Sequence, residues 1–261
     1  MGDPHFETLD FDQPILVSCS GGRDSSAMCL ALKEYTENQG VQTDQIKILF
    51  GNTRVNLGSA RKAIQKLAEY TGFELVSVRY EGEKTAISIL NESFMCIPKA
   101  MDRIEQGKDI KNLFRCCVLL KERPLSGYSK TLLENGHDPQ ALLGFTHDDY
   151  SINRRRIRNE SKKNCVYHKR IVSTGILHYY PIIRCKTRDI DKILLNHGFE
   201  EVKSSGCSIC PYFVIYDSWR KKDYASWERS INKAKSLGVE PRTTDQLPLR
   251  AFCSELSGVA E

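Results

Sequence analysis

The sequence lacks any apolar run close to the roughly 18 to 20 residues that a membrane-spanning helix needs, so a membrane protein is not expected. It also lacks internal repeats and low-complexity linkers. The N-terminal segment MGDPHFETLDFDQP is acidic and interrupted by proline, which is not the pattern of a secretory signal. We therefore expect a cytoplasmic protein.

The composition is that of a globular chain with a substantial core. Among 261 residues, 40% are hydrophobic and 27% are charged, which excludes a disordered tail, a collagen-like chain and a coiled coil. The length allows one large domain with a small appendage. We predict a main domain at 1–215 and a helical or irregular C-terminal extension at 216–261. The net charge of +5 is too small for a dedicated nucleic-acid coat.

Hydrophobic patterning predicts strands and helices in alternation. Short apolar runs such as PILVS and IKILF are typical of buried strands, and the segments after them carry apolar residues at helical spacing. The predicted strands are 14–18, 46–50, 73–80, 142–145 and 178–183, and the predicted helices are 25–37, 59–71 and 187–198. Alternation with short connections implies right-handed crossovers, hence an α/β fold with a parallel twisted sheet and helices on both faces.

A glycine-rich loop follows the first predicted strand. Its sequence is Ser20-Gly21-Gly22-Arg23-Asp24-Ser25, and the first predicted helix continues from it. Consecutive glycines allow a sharp turn that brings backbone N–H groups against an anion, and the N-terminal end of a helix attracts the same charge. The alternative is a tight turn followed by an N-cap serine. The order strand, SGGxDS and helix favours phosphate binding.

This loop resembles the signature of the PP-loop ATP pyrophosphatases, which have an adenine nucleotide alpha hydrolase-like fold. The resemblance implies that ATP binds with its phosphates in the loop and Mg²⁺ beside them, that pyrophosphate leaves, and that a substrate is adenylated. The Walker A pattern GxxxxGK[ST] and the Rossmann pattern GxGxxG are absent from the sequence, so those two nucleotide-binding loops are not expected.

Later segments resemble the phosphoadenosine-phosphosulfate-reductase-like branch of the family. The turn Gly51-Asn52-Thr53 is similar to one near the adenosine, although the family more often has Asp where Asn52 stands. Residues 144–154 resemble a glycine–acidic–arginine segment that lines the active site. YPII at 180–183 and TRDI at 187–190 resemble a further element, with Cys185 near the expected tryptophan. The resemblance covers residues 14–215.

The resemblance implies a set of site residues within a nucleotide-binding domain. The resemblance implies catalytic roles for Arg23, Asp24 and Arg154. The implied nucleotide-binding residues are Ser18, Ser20, Gly21, Gly22, Arg23, Asp24, Ser25, Asn52, Gly144 and Asp149.

Ten cysteines are an unusual number for a cytosolic chain, where thiols, metal ligands or catalytic sulfur are more common than disulfides. The pairs Cys116-Cys117 and Cys207-x-x-Cys210 could supply four sulfurs to one metal centre. CC-x-x-x-K-x-x-P-L at 116–125 resembles a stretch of cluster-bearing sulfonucleotide reductases, and GCSICP at 206–211 resembles an element of sulfur-handling PP-loop proteins. The resemblance implies a [4Fe–4S] cluster; a structural Zn²⁺ or four unliganded thiols are the alternatives.

The six other cysteines lack ligand spacing. We interpret Cys19 and Cys29 as core residues, and Cys96, Cys165 and Cys185 as buried or loop thiols. The isolated Cys253, in the C-terminal tail, is a weak candidate for a persulfide carrier.

The combined features resemble the sulfur-transfer proteins of DNA phosphorothioation, so we expect an ATP-dependent adenylating enzyme. The implied partners are a cysteine desulfurase as sulfur donor and DNA, or a nucleic-acid-modifying complex, as acceptor; a homodimer is allowed. The basic stretch at 153–170 is either a contact for polyphosphate or nucleic acid or a solvated face.

Three other functions are alternatives: an adenylyl-sulfate or phosphoadenylyl-sulfate reductase, a tRNA thiolation enzyme, and a non-catalytic nucleotide-binding adaptor. The intact SGGxDS loop and the lack of an ECG[IL]H motif in this sequence argue against the reductase.

Overall fold

A six-stranded sheet forms the framework of the first part of the chain. The computed structural model describes residues 3–108, 110, 113–148, 168–172, 174–202, 206–216, 220–221 and 223–241. The strands are β1 (Ile15–Ser18), β2 (Ile46–Gly51), β3 (Glu74–Val78), β4 (Gln140–Leu143), β5 (His168–Arg170) and β6 (Leu177–Tyr179). Their order across the sheet is β3-β2-β1-β4-β6-β5, and every neighbouring pair is parallel except β5 and β6. The predicted α/β fold is confirmed.

Helices connect these strands and continue beyond them. They are α1 (Arg23–Gln39), α2 (Gly58–Thr71), α3 (Ala86–Met95), α4 (Ile97–Glu105), α5 (Arg115–Cys117), α6 (Arg123–Glu134), α7 (Thr187–Asn196), α8 (Pro211–Ile215) and α9 (Tyr224–Ser236). A π-helical turn, Val118–Glu122, joins α5 to α6 without a break. Within the described ranges, no helix is both long and apolar enough to span a bilayer.

The chain divides into two compact units. The first comprises Met1–Asn52, Asn56–Arg79 and Pro124–Gly206, and the second comprises Thr53–Val55, Tyr80–Arg123 and Cys207–Glu261. Each unit has its own hydrophobic core. The boundary predicted at 215 stays a prediction.

Central position in the sheet explains the composition of β1. Ile15, Leu16 and Val17 are all fully buried, so both faces of the strand are covered. A parallel strand buried on both faces requires a continuous apolar run rather than alternation, which is what the sequence shows. At the edge, β3 is partly exposed along its length.

Two details of the predicted sheet are wrong. The edge strand β5 was not predicted, and it runs antiparallel to β6. Its sequence, HKR, has no apolar residue, so hydrophobic patterning gives no strand signal. The strand predicted at 178–183 ends at Tyr179, because Pro181 has no N–H to donate to a ladder. Ile182 and Ile183 are nevertheless fully buried, in a turn.

Neighbouring leucines on α7 allow a matched test of the first core. Leu194 is 1% exposed, whereas Leu195 is 64% exposed. We expect Leu194→Ala to lower the free energy of unfolding by about 2–5 kcal/mol, since it leaves a cavity. Leu195→Ala should change it by no more than about 0.5 kcal/mol. Chemical denaturation measures both, and equal losses would contradict the assigned packing of α7.

Candidate functional site

The glycine-rich loop lies where an α/β sheet offers a binding crevice. From β1 the chain proceeds to β2 and β3 on one side, whereas β4 and β6 lie on the other. The strand order therefore reverses beside β1, and ligands of such sheets bind outside the carboxyl ends of strands at that point. The loop follows the carboxyl end of β1, and Gly144 follows that of β4.

Gly21 gives the loop its shape. Its φ is +74°, in the left-handed region that glycine adopts without strain. A Cβ atom there would lie 2.4 Å from the carbonyl oxygen of Ala60 on α2, so no other residue fits. The next residue, Gly22, is the N-cap of α1, and its carbonyl accepts the first helical hydrogen bond, from Ser26 N–H at 3.0 Å.

The Ser25 hydroxyl forms hydrogen bonds across the loop, to Ser20 and Gly22. It donates to the carbonyl of Gly22 at 3.1 Å and accepts the backbone N–H of Ser20 at 3.3 Å. The hydroxyl of Ser20 lies 3.3 Å from it, and the thiol of Cys19 lies 3.5 Å away. The alternative of an N-cap serine is therefore wrong, since Gly22 is the cap and Ser25 spans the loop.

The charged residues of the loop are arranged at the first turn of α1. The Arg23 guanidinium forms an ion pair with Asp191 on α7. Asp24 lies in the same helical turn, where the helix dipole stabilises a carboxylate. Arg23, which is predicted to be catalytic, is therefore paired with a carboxylate of the same chain, that of Asp191.

Gly144 allows the end of β4 to approach the loop. A Cβ atom on it would lie 3.1 Å from both the Cα and the backbone nitrogen of Ser25. Beside it, Phe145 stacks on Tyr180 with ring centroids 5.6 Å apart. Two other predicted nucleotide-binding residues lie at carboxyl ends of strands. Ser18 ends β1, and Asn52 follows β2 and donates its N–H to the carbonyl of Val78 at 2.7 Å.

Asp148, in the acidic segment after β4, anchors the start of α7. Its carboxylate accepts the backbone N–H and the hydroxyl of Thr187, each at 2.8 Å, and lies 3.0 Å from His147 Nδ1. The Thr187 N–H bond, followed by the His147 and Thr187 side chains, lowers the pKa of Asp148 to about 2. Sequence reasoning missed Thr187 and Asp191 as partners, because nothing in the spacing pairs residues so distant along the chain.

Both cysteine pairs lie in the second unit. Each thiol shifts the pKa of at least one other, so the four interact electrostatically; they are here called the thiol site (Cys116, Cys117, Cys207 and Cys210). The hydrogen bond between Cys116 and Cys117 lowers the pKa of Cys116 and raises that of Cys117.

Burial dominates at the other two thiols of the site. It raises the pKa of Cys207, and it raises the pKa of Cys210 to about 12. Backbone N–H groups of Tyr212 and Phe213 oppose the increase at Cys210. The charge of Lys121 favours the thiolate forms of Cys117 and Cys207.

Hydrogen bonds fix the Cys207–Cys210 loop within the second unit. Ser208 donates its N–H and its hydroxyl to the carbonyl of Val55, at 2.7 and 3.1 Å. On α9, Arg229 Nε donates to the carbonyl of Ser208 at 3.1 Å. The hydroxyl of Thr53 lies 3.6 Å from the sulfur of Cys207. Thiolates are ligands for zinc and iron–sulfur clusters, so the four cysteines suit either by their chemistry, although as placed here no three of them form a ready-made metal-binding group among the described residues.

The remaining predicted residues have mixed outcomes. Across the described ranges, no three His, Cys, Asp or Glu side chains form a ready-made metal-binding group. Cys19 and Cys29 are buried, as expected for core residues; Cys185 is also buried, and Cys96 is partly buried. Asp149, Arg154, Cys165, Cys253 and the basic stretch before His168 lie outside the described residues.

Two solved structures are similar to this chain. One is a phosphoadenylyl-sulfate reductase from Candida auris in a phosphate complex, with 11% identity, a TM-score of 0.44, and coverage of 73% of this chain and 74% of that one. The other is the U34-tRNA thiolase NcsA from Methanococcus maripaludis with its [4Fe-4S] cluster, with 14% identity, a TM-score of 0.45, and coverage of 98% and 85%. No protein-family profile and no curated protein matches the chain. Similarity at this level carries no argument about function.

Gly21 and Gly72 provide a matched test of the loop. Both have a φ of +74°, but a Cβ on Gly72 would meet nothing within 4 Å. Gly72→Ala should lower the free energy of unfolding by about 1–2 kcal/mol, from backbone strain alone. Gly21→Ala should lower it by about 1–3 kcal/mol more, because of the Ala60 carbonyl. Equal losses in chemical denaturation would contradict the close approach.

The anchoring role of Asp148 predicts a pH effect. Its pKa is about 2 in the folded protein and about 4 in an unfolded chain, so its stabilising contribution is present above pH 4 and is lost as the pH falls to 2. We expect the melting temperature of Asp148→Asn to fall less steeply than wild type over that interval. Asp44→Asn, at an exposed position, is the control. Parallel wild-type and Asp148→Asn curves would refute the assignment.

Proposed function

We propose that this chain is an ATP pyrophosphatase that adenylates an acceptor oxygen for sulfur incorporation. The observation that carries the proposal is the SGGRDS loop at the carboxyl end of β1, beside the reversal in strand order and directly before α1. Backbone N–H groups at a helix N-terminus favour phosphate, and the close approach at Gly21 gives the loop a defined shape. The resemblance of this loop to the PP-loop signature supports ATP as the ligand.

The chemistry begins with adenylation. An acceptor oxygen attacks the α-phosphorus of ATP, the bond to the β-phosphate oxygen breaks, and pyrophosphate leaves. The loop N–H groups and the start of α1 stabilise the negative charge that develops on pyrophosphate. Mg²⁺ bound to the ATP phosphates neutralises part of the same charge. The catalytic roles of Arg23, Asp24 and Arg154, and ATP binding by Asp149, stay predictions.

Sulfur then replaces the activated oxygen. A nucleophile at the oxidation level of hydrosulfide attacks the adenylated centre, and AMP leaves with the acceptor oxygen. Sulfur delivered as a persulfide by a cysteine desulfurase needs two electrons from a thiol reductant to reach that level. We propose a DNA phosphodiester as the acceptor, which the basic stretch at 153–170 supports.

We further propose that the thiol site holds a [4Fe–4S] cluster. Four thiols from two segments, each within electrostatic reach of others and two of them beside Lys121, are a donor set that suits such a cluster. A bound cluster would bind or relay sulfur, or organise the site. Zn²⁺, bound by the same four thiols, is the alternative to the cluster.

A sulfonucleotide reductase is the second candidate. The Cys-Cys and C-x-x-C pairs favour it, because cluster-bearing reductases of that class resemble this chain at the same segments. It differs from the first proposal in its products, since it releases sulfite from adenylyl sulfate and does not cleave ATP.

Product analysis distinguishes these functions. The purified full chain, reconstituted anaerobically with iron and sulfide, is incubated with Mg²⁺-ATP, with and without a DNA duplex and a sulfide donor. We expect AMP and pyrophosphate, in amounts that rise with DNA. A parallel reaction contains adenylyl sulfate and a thiol reductant, and the Gly21→Ala variant tests whether the products depend on the loop.

Each outcome selects one function. AMP and pyrophosphate formation that Gly21→Ala abolishes supports the adenylating enzyme, and phosphorothioate in the recovered DNA supports the proposed acceptor. The same products with tRNA in place of DNA would change only the acceptor. Sulfite release from adenylyl sulfate without ATP cleavage would overturn the proposal in favour of the reductase. ATP binding without turnover of either nucleotide would indicate an adaptor.

A further inference from the structure

Two buried serines contact the thiol site in the same way. The hydroxyl of Ser93 on α3 accepts the backbone N–H of Cys116 at 3.1 Å and donates to the carbonyl of Ile89 at 3.0 Å. The hydroxyl of Ser230 on α9 accepts the backbone N–H of Cys210 at 2.9 Å and donates to the carbonyl of Ser226 at 2.7 Å. In both cases the serine bonds the carbonyl four residues earlier in its own helix. One serine serves each cysteine pair.

Both serines lie at positions where an apolar residue would be expected. Ser93 is 2% exposed and Ser230 is fully buried. Their sequence neighbours Phe94 and Ile231 belong to the core of the second unit. Burying a hydroxyl is unfavourable unless its hydrogen bonds are made, and serine has no helix-forming advantage that would compensate. The hydrogen bonds to the helix carbonyls and to the cysteine N–H groups offset the cost of burying these hydroxyls.

The cysteine N–H groups need acceptors that their own helices do not supply. Cys116 lies in the first turn of α5, and Cys210 is the N-cap of α8. N–H groups at helix starts have no carbonyl four residues earlier to bond. The serine oxygens accept these two N–H groups, so the backbone position of each cysteine is fixed by a different, packed helix.

From this repeated arrangement we infer that Ser93 and Ser230 are positioning residues for the metal-ligating thiols. The inference rests on the proposed function, in which these thiols bind a metal centre. Neither serine is a ligand: each fixes the backbone from which a ligand projects. Groups of this kind, outside the ligands themselves, commonly change metal affinity by about 10–100-fold when removed.

The chain offers a matched control at Ser129. This serine is 4% exposed, lies on α6, and donates to the carbonyl of Leu125 four residues earlier at 3.2 Å. It belongs to the first unit and has no recorded bond to a cysteine among the described residues. Ser129→Ala therefore removes the same kind of buried helical hydroxyl without the cysteine contact.

The experiment compares metal retention with stability. Wild type, Ser93→Ala, Ser230→Ala, the double variant and Ser129→Ala are reconstituted anaerobically with Fe²⁺ and sulfide. Iron and sulfide per chain are measured, and the visible absorbance is followed as a chelator removes iron. Zn²⁺ uptake is measured in parallel, and the melting temperature of each metal-free chain reports the structural effect of losing a hydroxyl. Ser93→Thr, which retains the hydroxyl, tests rescue.

We expect decreases in melting temperature for all three alanine variants, larger in Ser93→Ala and Ser230→Ala, which each leave a cysteine N–H without its acceptor, than in Ser129→Ala. The half-life of bound iron should fall about 10-fold in Ser93→Ala and Ser230→Ala, and further in the double variant, but should stay within about two-fold of wild type in Ser129→Ala. Ser93→Thr should retain iron better than Ser93→Ala. If the two site variants retain iron as long as Ser129→Ala does, the serines are merely structural and the inference is wrong. If wild type binds neither cluster nor Zn²⁺, the proposed cluster fails instead.

Discussion

The approach of the loop backbone to α2 at Gly21 is the constraint on which the candidate nucleotide site depends. Because the Ala60 carbonyl occupies the space that a side chain would need, the loop can turn only through a residue without a Cβ. That turn sets the direction in which α1 begins, and the Ser25 hydroxyl then ties the end of the turn to its start. A Cβ on Gly144, at the end of the neighbouring strand, would also crowd the loop, at 3.1 Å from Ser25. The shape of the loop therefore follows from backbone packing on two sides.

The cysteines of the thiol site are positioned by hydrogen bonds, and not by a close steric contact such as the one at Gly21. The four cysteines come from segments about 90 residues apart, so local sequence cannot hold them together. Polar contacts embedded in the apolar core of the second unit do so, through Val55 and the helices α3 and α9. A buried hydrogen bond has a strongly preferred geometry because leaving it unmade is costly. The site is thus placed by directional contacts, whereas nonpolar packing supplies most of the stability around it.

Sequence reasoning predicted the parts of the molecule that depend on local chemistry. The apolar strands β1 and β2 and the helix after SGGRDS have signals within a short window. It missed β5, because an edge strand made of HKR has no hydrophobic pattern. It also missed the partners of Arg23 and Asp148, since an ion pair or a hydrogen bond between residues far apart along the chain leaves no trace in one sequence. Ser93 and Ser230 have a weak signal, a small hydroxyl residue among core positions of a helix, but their acceptors and donors become visible only in the fold.

The ion pair between Arg23 and Asp191 has a consequence for any anion that the loop binds. Asp191 acts as an internal competitor: the guanidinium is already neutralised, so an incoming phosphate gains only the difference between its own attraction and that of the carboxylate. Both side chains are substantially exposed, and exposed pairs of this kind contribute little to stability. Exchange of one partner for the other is therefore easy. An anion that approached Arg23 would therefore exchange with the Asp191 carboxylate instead of meeting an unpaired guanidinium.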